Sequence, residues 1–279
     1  MTRVTRGING IDARHLLAVV AGAALAGTAG AQSFNLDLGL DRGVPSSTYA
    51  GVGLPGFWNG FGPEVAPPGG AFTGPLRALD GSTTPATVRQ IGANSVQFAD
   101  DAATSGDVDA LMDDYAQATN SPLDQCFFFQ GLENGTYEVI CYGWTPTHPE
   151  RLSRLRVDPP AIGGPVEVGG GWPGAHAEAV TYSRHRITIT DGRINLHSGL
   201  FGGNVLSTMN GIQLVKLPDE ACRGDLTGDG VVNFDDLNQL LTYWASPGST
   251  FSQGDLDGNG TVDFEDLNAV LETWAASCS

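Results

Sequence analysis

Two twelve-residue runs near the C-terminal end carry the most explicit chemistry in this chain. The first is Asp225-Leu-Thr-Gly-Asp-Gly-Val-Val-Asn-Phe-Asp-Asp236 and the second is Asp255-Leu-Asp-Gly-Asn-Gly-Thr-Val-Asp-Phe-Glu-Asp266. A hard cation such as calcium takes six to eight oxygens, and a twelve-residue loop supplies them from positions 1, 3, 5, 7, 9 and 12. In the first loop these positions are Asp225, Thr227, Asp229, the Val231 carbonyl, Asn233 and Asp236. In the second they are Asp255, Asp257, Asn259, the Thr261 carbonyl, Asp263 and Asp266. Gly230 and Gly260 fill position 6, where the chain turns too sharply for a Cβ. The pattern predicts two bound calcium ions.

The elements that must hold these loops follow each of them. Leu237, Leu241 and Trp244 recur at i, i+4, i+7, as do Leu267, Leu271 and Trp274, so each set predicts one apolar helix face. Val232 and Val262, at position 8, are expected where two loops pair back to back. Residues 224–245 and 254–275 share about 13 of 22 positions, which is an internal repeat.

Position 12 is Asp, and no amphipathic helix precedes either loop. With Gly224-Asp225-Leu226 and Gly254-Asp255-Leu256 opening the repeats, residues 222–278 resemble a type I dockerin, a tandem EF-hand-like calcium module. The resemblance implies a calcium-folded unit that plugs into a cohesin-like protein or cell-surface scaffold, in proteins associated with polysaccharide breakdown. Positions 10 and 11, often small hydroxyl residues in that family, are Phe234-Asp235 and Phe264-Glu265 here. The phenylalanines are open to two readings, core packing or a different recognition surface.

Composition bounds the rest. Arg3, Arg6 and Arg14 precede an apolar run from Leu16 to Leu25 and an Ala29-Gly30-Ala31 cleavage pattern, so residues 1–31 read as a secretory signal peptide. The run is short for a membrane span, and the expectation is an exported or cell-surface protein with no membrane insertion. Of the net charge of −17, residues 218–279 hold twelve acids against one base, Arg223. Such a chain is a poor partner for nucleic acid. Four cysteines in an oxidising setting allow three pairings. Spacing favours Cys222–Cys278, which bracket the repeat, and Cys126–Cys141, which flank an Asn134-Gly135 turn in a predicted hairpin.

Residues 32–217 are rich in Gly, Pro and Thr, with short apolar segments between turn signals, which predicts a β-sandwich. Strands are expected at 137–144, 186–190, 193–197 and 211–216, with Asp191-Gly192 as a hairpin turn. A helix is expected near 107–117, facing inward through Leu111, Met112 and Tyr115, and long loops over 41–86. The phrases 131–142, 181–192 and 209–214 resemble a galactose-binding-like jelly roll of secreted carbohydrate-associated proteins. Trp58 and Trp172 lie in Gly/Pro-rich loops and are candidates to stack on a sugar. His176, His185 and His197 sit on separate segments. Glu133, Glu138, Glu150, Glu178 and Asp191 are carboxylates a glycosidase would need to pair, but spacing pairs no two of them. No GxSxG, HExxH or P-loop lysine motif is present, so no catalytic residue is assigned. The expected function is non-catalytic carbohydrate binding or surface attachment. The alternatives are a polysaccharide-active hydrolase anchored by its tail and a structural exoprotein assembled by calcium.

Overall fold

The computed structural model describes residues 32–39, 41–61, 71–92, 95–119, 124–158, 164–200, 206–218, 222–276 and 278. The expected signal peptide, 1–31, lies outside them.

Two sheets face each other across one apolar core. The five-stranded sheet contains β1 (Phe34–Asp37), β2 (Trp58–Gly60), β8 (Gly135–Tyr142), β11 (Tyr182–Ile189) and β14 (Gly211–Lys216), in the order β11-β8-β14-β1-β2. The six-stranded sheet contains β3 (Ala71–Arg77), β4 (Thr83–Ile91), β7 (Asp124–Gln130), β9 (Leu152–Asp158), β10 (Val166–Gly169) and β12 (Arg193–Leu200), in the order β10-β9-β12-β7-β4-β3. Phe127, Phe129, Val88, Leu155, Val157, Ile194 and Leu196 from one sheet meet Phe34, Leu36, Tyr137, Val139, Ile187, Ile212 and Leu214 from the other. A small third sheet, β13-β6-β5, is built from β5 (Ser95–Phe98), β6 (Asp114–Thr119) and β13 (Leu206–Met209). The β-sandwich expectation holds.

Local expectations are corrected in four places. Asp191-Gly192 does not turn a hairpin, because β11 pairs with β8 in one sheet while β12 pairs with β7 and β9 in the other. The turn crosses between sheets, as does the 131–134 connection from β7 to β8. The two crossings brace each other: the Gly192 N–H donates to Asn134 Oδ1 at 3.0 Å, and the Leu132 N–H donates to the Gly192 carbonyl at 3.1 Å. A Cβ on Gly192 (φ 71°) would lie 2.9 Å from the Leu132 carbonyl oxygen.

The same topology rules out the expected Cys126–Cys141 disulfide. Cys126 is on β7 and Cys141 on β8, in opposite sheets, and both remain thiols. Cys141 points into the inter-sheet core, whereas Cys126 alternates with the core residues Phe127 and Phe129 and so faces outward. The predicted 107–117 helix is the shorter α1 (Asp107–Met112), followed at once by β6, although Leu111, Met112 and Tyr115 are all buried as expected. The 41–86 stretch is not all loop: it contains β2, and β3 pairs with β4 through a register shift between Pro75 and Arg77.

The C-terminal unit packs α2 (Phe234–Thr242) against α3 (Phe264–Glu272). Its core is Leu226, Val232, Leu240, Leu256, Val262, Ala269 and Val270. Cys222 and Cys278 are joined, as expected, and clasp its ends.

Candidate metal centres and the apolar faces beside them

Each loop is closed by the carboxylates at its two ends. Asp225 accepts the Gly228 N–H at 2.8 Å and the Gly230 N–H at 3.0 Å. Asp255 does the same for Gly258 at 2.9 Å and Gly260 at 3.0 Å. At the other end Asp236 and Asp266, both fully buried, cap the helices that follow. Asp236 Oδ2 accepts the Asn233 N–H at 2.7 Å, and Asn233 Oδ1 accepts the Asp235 N–H at 2.7 Å. Asp263 and Asp266 repeat this box on α3. The loop geometry therefore fixes the first turn of each helix, and acidic side chains there suit its positive end.

These closures gather three carboxylates at each loop. Asp225, Asp229 and Asp236 bring one oxygen each to within 4.8 Å of one another, and so do Asp255, Asp257 and Asp266. Either group could hold a metal ion. Three anionic carboxylates at that separation repel one another, so the donor set fits a hard cation. Burial, with Asp266 adding to it, pushes Asp255 up to about 7. The remaining expected ligands stand in different places. Thr227 donates both its N–H and its hydroxyl to Asp236 Oδ1, at 2.9 and 3.0 Å, so it orients that carboxylate. Asn233 and Asp263 serve as helix caps, and the Asn233 amide donates to the Val231 carbonyl at 3.1 Å. Asn259 donates its amide to Asp257 at 3.0 Å, and Thr261 N–H donates to Asn259 Oδ1 at 2.8 Å.

The two units exchange backbone bonds with pseudo-twofold symmetry. Val232 and Val262 do not pair with each other: each pairs with the segment that follows the other unit's helix. The Ala275 N–H donates to the Val232 carbonyl at 2.9 Å, and the Ala245 N–H donates to the Val262 carbonyl at 2.8 Å. The predicted helix stripes are also corrected. Trp244 and Leu267 pack against the core as predicted, but Leu240 and Val270 take the fully buried positions, while Leu241, Leu271 and Trp274 are exposed. Phe234 is 70% exposed and Phe264 68%. Phe234 packs edge-on against Trp274 at 5.0 Å, and Phe264 against Trp244 at 5.1 Å. The phenylalanines thus form two matching surface features and are not core.

The second loop is held against the sandwich. Arg184 on β11, its side chain only 5% exposed, donates through Nη1 to Glu138 at 3.1 Å and to the Ser249 carbonyl at 3.0 Å. The same nitrogen lies 3.9 Å from Asp255. Arg186 and Arg223 both donate to the Leu256 carbonyl. No motif in the sequence signals this arginine cluster.

The remaining sequence candidates separate. Trp58 is 3% exposed, with its indole N–H on the Tyr49 carbonyl at 3.2 Å, so it is a core residue and no stacking platform. Trp172 is half-buried and packs against Trp144 and His176. Both tryptophans belong to one aromatic cluster on the outer face of the five-stranded sheet, with Tyr142 and Tyr182. His176 sits in it against the Tyr49 hydroxyl at 2.5 Å, and burial pulls it down to about 4. His185 lies on β11 beside Ser183, and His197 on β12, so the three histidines do not converge. Glu133 pairs with Lys216, Glu138 with Arg184 and Glu150 with His148, while Asp191 accepts the Arg193 N–H within its own turn.

No family model and no curated protein matches the chain. Solved structures similar to it include a Bacteroides uniformis β-glucuronidase, 13% identical over 66% of this chain and 18% of that one, with a TM-score of 0.39. A family 35 carbohydrate-binding module from Clostridium thermocellum is 11% identical over 46% of this chain and 90% of that one, TM-score 0.28. TmCBM61 in complex with β-1,4-galactotriose is 17% identical over 47% and 88%, TM-score 0.27. The chain spans under a fifth of the glucuronidase, and likenesses at these scores transfer no role to any residue here. Among the described residues, no helix is long and apolar enough to cross a membrane.

Proposed function

We propose that this is an exported, carbohydrate-associated protein in which a dockerin-like module, folded around two calcium ions, docks the chain onto a cohesin-like partner or cell-surface scaffold. The observation that supports it most is the pairing, in each unit, of a three-carboxylate loop with an exposed Phe–Trp couple. Asp225, Asp229 and Asp236 would hold one ion, and Asp255, Asp257 and Asp266 the other, with the Val231 and Thr261 carbonyls completing the oxygen set. The loops cap α2 and α3, so an ion bound there sets the angle at which Phe234 and Phe264 leave the surface. Exposed aromatics centred in a patch are the residue types that anchor interfaces. The jelly-roll-like sandwich would carry the polysaccharide, with Trp172 the one sequence candidate for stacking that is not buried; the function is binding, with no catalytic residue assigned.

Calorimetric titration of the full chain with calcium tests this. Two ions should bind, and Asp225→Ala with Asp255→Ala should abolish both. Calcium-independent capture of the chain by scaffold preparations, or no calcium binding at all, would sink the reading. Depletion by insoluble polysaccharides, with the supernatant assayed for released sugar, tests the sandwich separately.

A further inference from the structure

The outward face of the six-stranded sheet carries a second site, unrelated to the acidic loops. β12 lies between β7 and β9, and its register sets His197 opposite Cys126 on one side and Arg156 on the other. His197 alternates with Leu196 and Ile194, which are buried, so it faces outward with Cys126. Cys126 Sγ lies 3.1 Å from His197 Nδ1. His197 Nε2 lies 3.1 Å from Asp158 Oδ2. The imidazole therefore bridges a thiol and a carboxylate through its two different nitrogens.

That arrangement has a definite proton logic. With the thiol neutral, S–H donates to Nδ1 and Nε2–H donates to Asp158. When the proton moves to Nδ1, the imidazolium donates in both directions, to the thiolate and to the carboxylate. Asp158 stabilises the second state and fixes the ring for it, which is how an adjacent base and its orienting group activate a nucleophile. The three side chains cannot share one metal ion, because the sulfur and the carboxylate sit on opposite ring nitrogens. Reagents can reach the group: the His197 and Asp158 side chains are 19% and 43% exposed, and Cys126 is half-buried. Other charges on this face are Arg154 and Arg156 on β9, Arg89 on β4, Arg193 on β12 and Glu167 on β10, all exposed and mostly cationic. Cys141 supplies the contrast. It is buried in the core, and burial pushes its thiol up to about 12.

We propose that Cys126 is a nucleophilic thiol, activated by His197 and oriented by Asp158, that takes small-molecule disulfides. The thiolate sulfur attacks one sulfur of R–S–S–R′. A Cys126–S–S–R bond forms, the R–S–S–R′ bond breaks, and the expelled R′–S⁻ takes the proton held at His197 Nδ1 and leaves as R′–SH. No net oxidation occurs: one disulfide is exchanged for another.

The test is the rate at which the folded full-length protein reacts with the aromatic disulfide 5,5′-dithiobis(2-nitrobenzoate) as pH is varied. One thiol should react, Cys126→Ser should remove it, and Cys141→Ser should leave it. The rate should rise through a midpoint below about 7.5, against about 8.5 for an ordinary thiol. For a midpoint near 6.5, the greater thiolate fraction outweighs its lower nucleophilicity, giving an advantage over His197→Gln of about threefold at pH 7 and about tenfold at pH 6. Asp158→Asn should shift the midpoint upward by less than His197→Gln does. A wild-type midpoint at 8.5, or a His197→Gln variant that keeps its circular dichroism and reacts at the wild-type rate at pH 6, would overturn the proposal. Should that variant not fold, the wild-type profile and Cys126→Ser decide alone.

Discussion

Opening the Cys222–Cys278 bond should make the C-terminal unit depend on metal for its fold. The two cysteines are 56 residues apart. In the chain-entropy model, closing a loop of that length stabilises by about 4 kcal/mol. Among the described residues the core it supports has seven buried apolar residues, four of them (Leu226, Val232, Leu256 and Val262) from the loops themselves. A core of that size rarely supplies more than about 3–5 kcal/mol, so the unit should sit near zero without the bond. Two calcium ions at a hundredfold excess over their dissociation constants would restore about 5 kcal/mol. Paired Cys222→Ser and Cys278→Ser substitutions in the full chain should therefore leave α2 and α3 folded in calcium and unfolded in chelator. Hydrogen exchange resolved by peptide reads this directly, with β8 as the internal reference. Losing about 5 kcal/mol in chelator corresponds to a loss of amide protection of about 5000-fold over 234–242 and 264–272. Protection that changes by less than tenfold in chelator would refute both the marginal-core argument and the metal's role in it.

Three other perturbations have directions fixed by the structure. Ala245 and Ala275 both adopt left-handed backbone (φ 59° and 61°) where each helix ends; Gly at either position should raise stability by about 1 kcal/mol, read as a higher melting temperature, and a loss would contradict the strain argument. Arg184→Met should cost about 3–5 kcal/mol by leaving Glu138 charged and buried, and adding Glu138→Gln should recover most of it in denaturant titrations. Asp37 is fully buried, and burial, with Asp114 adding to it, raises it well above the usual carboxylate range. Its folded value is raised, so the stability it confers is complete below the unfolded value of about 3.9 and is lost as pH rises through the folded one. Asp37→Asn should therefore gain on the parent in thermal melts as pH rises above about 4, and a gap independent of pH would count against this.

The loops were legible because coordination demands a residue type at every second or third position, and Gly at the sharp turn follows from backbone sterics alone. The helix stripe departs in part from its apolar period for a related reason. Leu237, Leu241 and Trp244 are periodic, but so are Asp236 and Leu240 one position earlier, and Asp236 is drawn inside by its backbone bonds to Thr227 and Asn233. A buried carboxylate thus rotates the helix and leaves Leu241 outside, which an apolar-only pattern does not register. The two inter-sheet turns failed similarly. Asp191-Gly192 has the local chemistry of a hairpin, yet turn chemistry specifies only that the chain reverses, and whether the next strand joins the same sheet depends on residues such as Asn134, 58 positions away. The Cys126–His197–Asp158 group, too, exists only through the register of three strands.

The arginine cluster at the domain junction links these observations. A run of twelve acids and one base would repel itself and any acidic surface, yet the second loop lies against a strand of the sandwich. Arg184 and Arg186 resolve this by turning toward backbone carbonyls of the tail, Ser249 and Leu256, and leaving the loop carboxylates to each other. Arg184 comes no closer than 3.9 Å to Asp255 while it holds Glu138 at 3.1 Å. Docking therefore offsets the charge around the second site without occupying its oxygens, so a cation can bind there with the domains still in contact. The first loop has no such arginine beside its carboxylates among the described residues, and its Thr227 replaces an acid, so the two sites reach a tolerable charge by different means: one by removing a carboxylate, the other by approaching a guanidinium. It follows that the loops should differ in their response to salt, with the second the less sensitive, because its compensating charge is buried and fixed.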